Sequence, residues 1–221
     1  LMLHLEERNG GVVDDAHDLF DADTGLVVFS PAGSGASYTA SGYHIPAFYE
    51  VWAHAMPADA AAWRRIAASS RAFLHAAAHP TTGLFPGEAE LDGTPRAVQG
   101  YFGADAYRVA LNLALDHAWF AADPWQPAAC DRLLSFFHAE GMETYLARYS
   151  LDGTPLVDYR ADALRITNAA AALPATIPER AEFLQDLWSL DIPTGEYRYY
   201  DGVLYLLTLL TLSGNYRVYL G

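Results

Sequence analysis

Apolar residues recur at helical spacing through most of the chain, and short loops rich in glycine and proline separate the periodic segments. Before these segments, Asn9-Gly10-Gly11 ends a short first helix, and residues 26–29 (Leu-Val-Val-Phe) form the clearest strand. The periodic segments predict helices at about residues 44–56, 60–78, 104–120, 127–140, 161–174, 178–190 and 199–212.

Short motifs recur along the chain. Leu-Asp-Gly-Thr-Pro occurs at residues 91–95 and 151–155, and Thr-Gly-Leu occurs at residues 24–26 and 82–84, so the period is about 60 residues. Each period holds two helices and a loop with a little strand, which is typical of a solenoid or a closed α/α toroid. Chance is the alternative, because turns rich in Asp, Gly and Pro recur easily.

The apolar character of the later helices decides between these two architectures. They are apolar on more than one face and have little surface for water, which favours the closed toroid. A toroid of six hairpins is larger than this chain, which supplies about three and a half. The predicted fold is therefore all-α, an incomplete (α/α)6 toroid of helical hairpins with short β-hairpin loops, and residues 1–221 form a single domain.

Charge and composition exclude several classes of function. The net charge is −14, which argues against nucleic acid and against an anionic membrane face. The longest apolar run, about ten residues near 204–212, is too short to span a bilayer. Cys130 is the single cysteine, so the chain has no internal disulfide and no cysteine-based metal site. The 14 tyrosines and 5 tryptophans suit either sugar-stacking surfaces or a helical core.

The helix predicted at residues 104–120 carries four polar residues on one stripe: Asp105, Arg108, Asn112 and Asp116. The simplest interpretation is the solvated face of an amphipathic helix. Asp105 lies in the first turn, where the helix dipole favours a carboxylate. The same dipole disfavours Arg108 one turn later, so we predict that Arg108 pairs with Asp105.

Four segments resemble glycoside hydrolase family 8, in order along nearly the whole chain. Residues 102–108 (Phe-Gly-Ala-Asp-Ala-Tyr-Arg) resemble the aspartate-centred helix start of that family. Residues 41–49 (Ser-Gly-Tyr-His-Ile-Pro-Ala-Phe-Tyr) are similar to its Ser-Tyr-His-Leu-Pro-Ala-Phe-Tyr segment, and residues 69–84 and 199–216 are similar too. The resemblance implies an (α/α)6 toroid with a sugar-binding cleft and inverting hydrolysis of β-1,4-linked xylo-oligosaccharides, with release of xylose at the reducing end.

The resemblance also assigns site residues. It implies that Asp105 is the general base and that Tyr43 lies in the cleft, where its hydroxyl helps to hold the water or the sugar. Arg108 is expected beside them, where it keeps Asp105 ionised. His44 either binds a sugar hydroxyl or is structural, and both interpretations stay open. We expect no metal and no cofactor, and an oligosaccharide as the one partner.

Two departures from the family pattern limit these expectations. The family's general acid is a glutamate in a Ser/Thr-Glu-Gly segment, which has no counterpart here; Glu50, Glu88 and Glu90 stand in other contexts. We therefore expect the C-terminal portion of a longer glycosidase, with little or no activity alone. Residues 39–43 lack an aspartate of the family's cleft wall, and around residues 159–161 the Leu-His-Pro triplet connected with exo-action is missing.

Three alternatives remain at this point. The chain could be a non-catalytic carbohydrate-binding remnant, or part of an endo-acting β-1,4-glucanase or xylanase of the same family. It could also be another α/α-toroid enzyme, such as a sugar epimerase or an unsaturated glucuronyl hydrolase, although its eight histidines do not cluster as such sites would require. An oligosaccharide-processing enzyme would favour the cytoplasm, but the sequence leaves the compartment open.

Overall fold

The computed structural model describes residues 3–219, which contain eight α-helices and one pair of short strands. The helices are α1 (Leu5–Asn9), α2 (Pro46–Ala55), α3 (Ala60–Ala77), α4 (Ala104–Trp119), α5 (Gln126–Glu140), α6 (Asp162–Ala171), α7 (Arg180–Ser189) and α8 (Arg198–Leu212). The strands are β1 (Tyr38–Ala40) and β2 (Glu88–Glu90). Each of the predicted helices is present, with ends that differ by a few residues. Within the described residues, no helix is both long and apolar enough to cross a bilayer.

The helices pair as hairpins, and the first helix of each hairpin lies in one row. The pairs α2–α3, α4–α5 and α6–α7 each pack together, and α8 follows as a single helix. Laterally, α4 contacts α2 and α6, and α6 contacts α8, so that α2, α4, α6 and α8 are successive members of one row. This arrangement is an arc of an (α/α) toroid, as predicted, with three hairpins and a further helix in the described part of the chain.

Burial separates the helices of the row from those outside it. Eight of the ten residues of α6 are buried, whereas α7 buries only Phe183 and Leu187. A helix that is apolar on nearly every side needs neighbours on every side, and a helix with one apolar stripe needs one. This difference in burial fits the position of α6 inside the arc and of α7 outside it.

A second, smaller core lies under the N-terminal segment. Phe20 packs edge-on against Tyr49 and Trp63, with ring centroids 5.6 and 5.4 Å apart. The strand predicted at residues 26–29 is wrong: Val27 forms one isolated bridge with Phe20, and the segment is otherwise irregular. Val27 belongs to this core and Leu26 to the main core, so the two residues are buried without alternating across a sheet, and burial alone gives the same sequence pattern.

The sequence predicted short strands in the loops but not the positions of the two strands that form. Strand β1 pairs antiparallel with β2 in the register Tyr38↔Glu90 and Ala40↔Glu88. Each strand has three residues, which is too short to produce an alternating pattern, and the pairing joins positions about fifty residues apart. This strand pair matters for the site because β1 leads directly into the turn that carries Tyr43.

The repeated motifs are repeated turns. In both copies of Leu-Asp-Gly-Thr-Pro, the threonine carbonyl accepts a hydrogen bond from the N–H four residues earlier, at 2.8 and 2.9 Å. The glycines, Gly93 and Gly153, both have a positive φ, +92° and +99°, which disfavours other residues. In both copies of Thr-Gly-Leu, the leucine carbonyl accepts from the N–H five residues earlier at 2.9 Å. The recurrence in sequence is thus structural, which favours the repeat over chance.

Candidate active site

The first turns of the row helices lie at one rim of the arc. The Tyr200 hydroxyl of α8 donates a hydrogen bond of 2.5 Å to the carbonyl oxygen of Ala104, the first residue of α4. Burial raises the pKa of Tyr200 to about 12, and the nearby Asp105 carboxylate adds to the increase while Arg108 opposes it. The phenol therefore stays neutral and remains a hydrogen-bond donor that ties α8 to the start of α4.

Asp105 is the second residue of α4 and is half exposed at this rim, with 52% of its side chain accessible. Arg108 Nη2 lies 3.0 Å from Asp105 Oδ1, so the predicted ion pair is present. The helix N-terminus and the guanidinium both stabilise a negative charge at this position. The arrangement provides a carboxylate that is held in place by one oxygen and remains open to solvent.

The turn that carries Tyr43 is docked directly onto the start of α4. A Cβ at Gly42 would overlap the carbonyl oxygen of Asp105, so this close approach requires glycine. The buried Asn112 donates from Nδ2 to the carbonyl oxygens of Gly42 and His44, both at 3.1 Å. Asn112, known from the sequence only as part of a polar stripe, therefore fixes the turn on the helix.

Tyr43 is brought next to the ion pair by this docking. The Arg108 guanidinium carbon lies 5.2 Å from the centre of the Tyr43 ring. Both residues line a cavity of about 540 Å³, whose other walls are mostly apolar side chains of the N-terminal segment 19–29 and of α2, α4 and α8. The structure thus brings three of the predicted site residues together: Asp105, Arg108 and Tyr43.

The β1–β2 strand pair lies on another side of the rim. A Cβ at Gly87 would lie 3.7 Å from Asp105 Cβ, in ordinary contact. Burial raises the pKa of the next residue, Glu88; Asp105 adds to this increase, and Arg96 opposes it. Glu88 on β2 is therefore within electrostatic reach of Asp105, the candidate base.

His44 lies apart from the rim surface. Its ring is fully buried, with Nε2 2.9 Å from Thr39 Oγ1 and Nδ1 3.0 Å from Ser70 Oγ, and it stacks on Phe73 at 4.2 Å between ring centroids. A ring with no accessible surface cannot contact a sugar. Of the two interpretations of His44, the geometry favours the structural one, a buried link between β1 and α3.

Burial of His44 leads to a pH-dependent stability. Burial lowers the pKa of His44 to about 3, from 6.5 in the unfolded chain. Between these values the unfolded state binds the extra proton, so stability falls as the pH drops below 6.5. Between pH 7 and pH 5 this group is expected to cost about 2 kcal/mol of unfolding free energy. Urea unfolding at both pH values measures the loss, and His44→Gln should reduce it. An equal loss in the variant would contradict this account.

The interpretation of the α4 stripe as a solvated face is wrong for its second half. Asp116 is fully buried and accepts hydrogen bonds from Arg71 Nη2 at 2.7 Å, Arg71 Nε at 2.9 Å and Gln126 Nε2 at 2.5 Å. Arg71 also reaches Glu50 Oε1 at 2.8 Å. Burial lowers the pKa of Arg71, but its bonds to Asp116 and Glu50 outweigh this and raise it overall. Asp116 therefore joins α4 to α3 and α5.

One repeat of the helix start that carries Asp105 was missed, although the sequence shows it. Residues 161–165 (Ala-Asp-Ala-Leu-Arg) repeat residues 104–108 (Ala-Asp-Ala-Tyr-Arg) at the start of α6. Asp162 pairs with Arg165 at 3.1 Å, three residues on, as Asp105 pairs with Arg108. On α8, burial raises the pKa of Asp201, and Asp162 adds to the effect. First-turn aspartates thus lie on three successive row helices.

Histidine, cysteine and acidic side chains do not form a metal site in the described part of the chain. Among residues 3–219, no group of three or more of them is arranged to hold an ion. The rim is therefore built from carboxylates, arginines and tyrosines, which are groups that act in acid–base chemistry and in hydrogen bonding to polar ligands.

Comparison with known proteins identifies the family of this chain. Residues 24–214 match the model of the family "Glycosyl hydrolases family 8". The chain belongs to glycosyl hydrolases family 8. This confirms the family that the sequence resembles, and with it the toroid fold.

Relatives within family 8 have two kinds of described activity. The reducing-end xylose-releasing exo-oligoxylanase Rex8A of Paenibacillus barcinonensis is 39% identical over 98% of this chain. Endoglucanase 2 of Ruminiclostridium josui is 27% identical over 88% of it. A family 8 crystal structure from Teredinibacter turnerae, a xylobiose complex, is 40% identical over 93% of the chain, with a TM-score of 0.87. The chain spans 57% of Rex8A, 42% of the endoglucanase and 55% of the Teredinibacter protein.

Proposed function

We propose that this chain carries the base half of an inverting glycoside hydrolase that acts on β-1,4-linked xylo-oligosaccharides. Asp105 accepts a proton from a water molecule, and the water oxygen attacks the anomeric carbon as the glycosidic bond breaks. A second carboxyl group, outside this chain, donates a proton to the leaving oxygen. The observation that carries the proposal is the half-exposed Asp105 carboxylate, held by Arg108 at 3.0 Å at the rim of a toroid arc.

The substrate class rests on the relatives and on the chemistry of the rim. Rex8A is described as releasing xylose at the reducing end, and the Teredinibacter protein binds xylobiose. In this chain, Tyr43 and Arg108 offer hydrogen-bond donors to a neutral sugar beside Asp105. We extend reducing-end xylose release to the complete protein on the likeness to Rex8A; internal cleavage of a β-1,4-glycan is the alternative, favoured by the missing Leu-His-Pro triplet.

The environment of the glutamates supports an acid outside the chain. Glu50 pairs with Arg71 at 2.8 Å and Glu90 with Arg96 at 3.2 Å. Both carboxylates are engaged in an ion pair with an arginine, whereas a general acid must be free to hold a proton and give it to the leaving group. Glu88, whose pKa is raised, is the described glutamate that the experiment below has to exclude.

An exposed apolar face on α8 supports a contact with further helices. On α8, the side chains of Tyr199, Val203 and Leu206 are 83%, 43% and 57% exposed. They recur at helical spacing, and the adjacent cavity of about 540 Å³ between α2, α4 and α8 is mostly apolar. An exposed apolar surface of this kind is costly in water and usually marks a contact. We propose that helical hairpins outside this chain pack here, continue the toroid and bring the acid.

Reconstitution tests the proposal. The chain alone is expected not to hydrolyse xylotriose, and a fusion with the part of Rex8A that it does not match is expected to restore hydrolysis. Inversion predicts that the new reducing end is first released as the α-anomer, which NMR of the fresh product detects. Release of the β-anomer, turnover by the chain alone, or loss of turnover through Glu88→Gln alone would contradict the proposal. Xylotriose binding by an active-site-complete fusion that never turns over would favour the carbohydrate-binding remnant.

A further inference from the structure

Three aromatic rings beside the candidate base form a nearly parallel stack. Phe29 stacks on Tyr38 with centroids 4.9 Å apart and ring planes 19° apart, and on Tyr43 at 5.7 Å and 14°. An arginine caps each end: Arg96 Cζ lies 3.7 Å from the centre of the Tyr38 ring, and Arg108 Cζ lies 5.2 Å from that of Tyr43. We call this set, Arg96–Tyr38–Phe29–Tyr43–Arg108, the aromatic bridge.

Carboxylates anchor the bridge at both ends. Arg96 reaches Glu90 at 3.2 Å and Glu88 at 3.7 Å on β2, and Arg108 reaches Asp105 at 3.0 Å. In both arginines the Nε atom is buried and, among the described residues, has no hydrogen-bond partner. The guanidinium groups are therefore held by a carboxylate on one side and by contact with a ring on the other, which is the geometry of a cation–π pair.

The bridge joins segments that are far apart in the chain. Phe29 belongs to the irregular N-terminal segment, Tyr38 to β1, and Arg96 to the loop after β2. The Phe29 N–H donates to the Tyr38 carbonyl oxygen at 2.7 Å, so the backbone holds the first stacked pair together. Side chains from separate segments that stack in one direction keep each other in register, because no ring can tilt without displacing its neighbour.

We propose that Phe29, Tyr38 and Arg96 are positioning residues that hold Tyr43 and Arg108 in place beside Asp105. They act on the reaction through these two residues. For its consequence in catalysis the inference rests on the proposed function; for the coupling between the two ends of the bridge it rests on the contacts alone. A disturbance at Arg96 or Tyr38 should therefore reach Arg108, although neither touches it directly.

NMR of the arginine Nε–Hε groups tests the coupling in the chain itself. Their shifts respond to the ring currents of stacked aromatics, and Nε is shielded from solvent in both bridge arginines. Tyr38→Leu is expected to shift the Arg108 signal as well as that of Arg96, and Tyr38→Phe, which keeps the ring, is expected to restore both. Arg71 and Arg165, ion-paired elsewhere, should not move and so report that the fold is intact.

A second variant and an activity measurement make the test decisive. If Tyr38→Leu disturbs Arg71 and Arg165 too, Arg96→Met replaces it, since it removes the terminal guanidinium and keeps an apolar stem. An Arg108 signal that stays in place while the fold is intact would overturn the inference.

In an active fusion, Tyr38→Leu is expected to lower kcat roughly tenfold with KM within about twofold, as for a misplaced catalytic group. A shifted Arg108 signal with unchanged kcat would equally overturn the positioning role. If Asp105→Asn leaves the same fusion fully active, the proposed function has failed instead, and the NMR result still decides the coupling.

Discussion

Asp105→Asn is expected to reduce kcat for xylotriose hydrolysis by the complete enzyme by about 10²–10⁴-fold. The amide has nearly the shape of the carboxylate, so the substitution changes little in packing. It cannot accept a proton from the attacking water, and it removes the charge that Arg108 faces at 3.0 Å. KM should change little, because the base acts in the transition state more than in the bound ground state. Steady-state kinetics on a reconstituted fusion measures both constants.

The chain offers a matched control for this experiment in Asp162→Asn. Asp162 lies in the first turn of the next row helix, pairs with an arginine three residues later at 3.1 Å, and is 53% exposed against 52% for Asp105. Both substitutions therefore remove a first-turn carboxylate from an arginine three residues later, although Arg165 keeps Asp186 as a second partner at 2.5 Å. Asp162→Asn is expected to leave kcat within about threefold, since it removes a surface pair of low energetic value. Equal losses in both variants would mean that Asp105 acts through helix stability and would contradict its role as base.

The helical part of this fold could be predicted from sequence because its determinants are local. Helix α4 is bounded by Gly103 and by the break before Pro124, and its apolar residues recur at one spacing. The pair of Asp105 and Arg108 is three residues apart within one helix, so its geometry followed from helix geometry. The repeated turns were likewise visible, because each is marked by a motif of three or five consecutive residues.

The features that could not be predicted depend on contacts between distant residues. Asn112 binds the carbonyl oxygens of Gly42 and His44 across about seventy residues of chain, and no pattern on α4 identifies these partners. The burial of Asp116 follows from Arg71, which lies on another helix. The same residue types on one stripe fit either a solvated face or a set of buried links. The start of α6 differs, because its Ala-Asp-Ala-Leu-Arg repeat could have been read from the sequence.

The second large effect is expected at Asp116, where Asp116→Ala should lower the free energy of unfolding by about 3 kcal/mol. The carboxylate is fully buried and accepts three hydrogen bonds, two of them from Arg71. Its removal leaves the Arg71 charge, only 13% exposed, with Glu50 as its remaining partner, and leaves Gln126 without an acceptor. Urea unfolding followed by circular dichroism measures the loss.

Two further variants show whether the unpaired charge causes this loss. Glu143→Ala removes the partner of Arg160 from a surface pair in which Glu143 is 82% exposed, and it should cost less than about 1 kcal/mol. Arg71→Met combined with Asp116→Leu replaces the buried pair by apolar side chains, and it should recover much of the stability that Asp116→Ala loses. If the double variant is as unstable as Asp116→Ala, the loss of stability comes from packing between α3, α4 and α5 and not from the unpaired charge of Arg71. In that case Asp116 would serve as a space-filling residue, and its place at the end of the stripe that begins with Asp105 would have no electrostatic meaning.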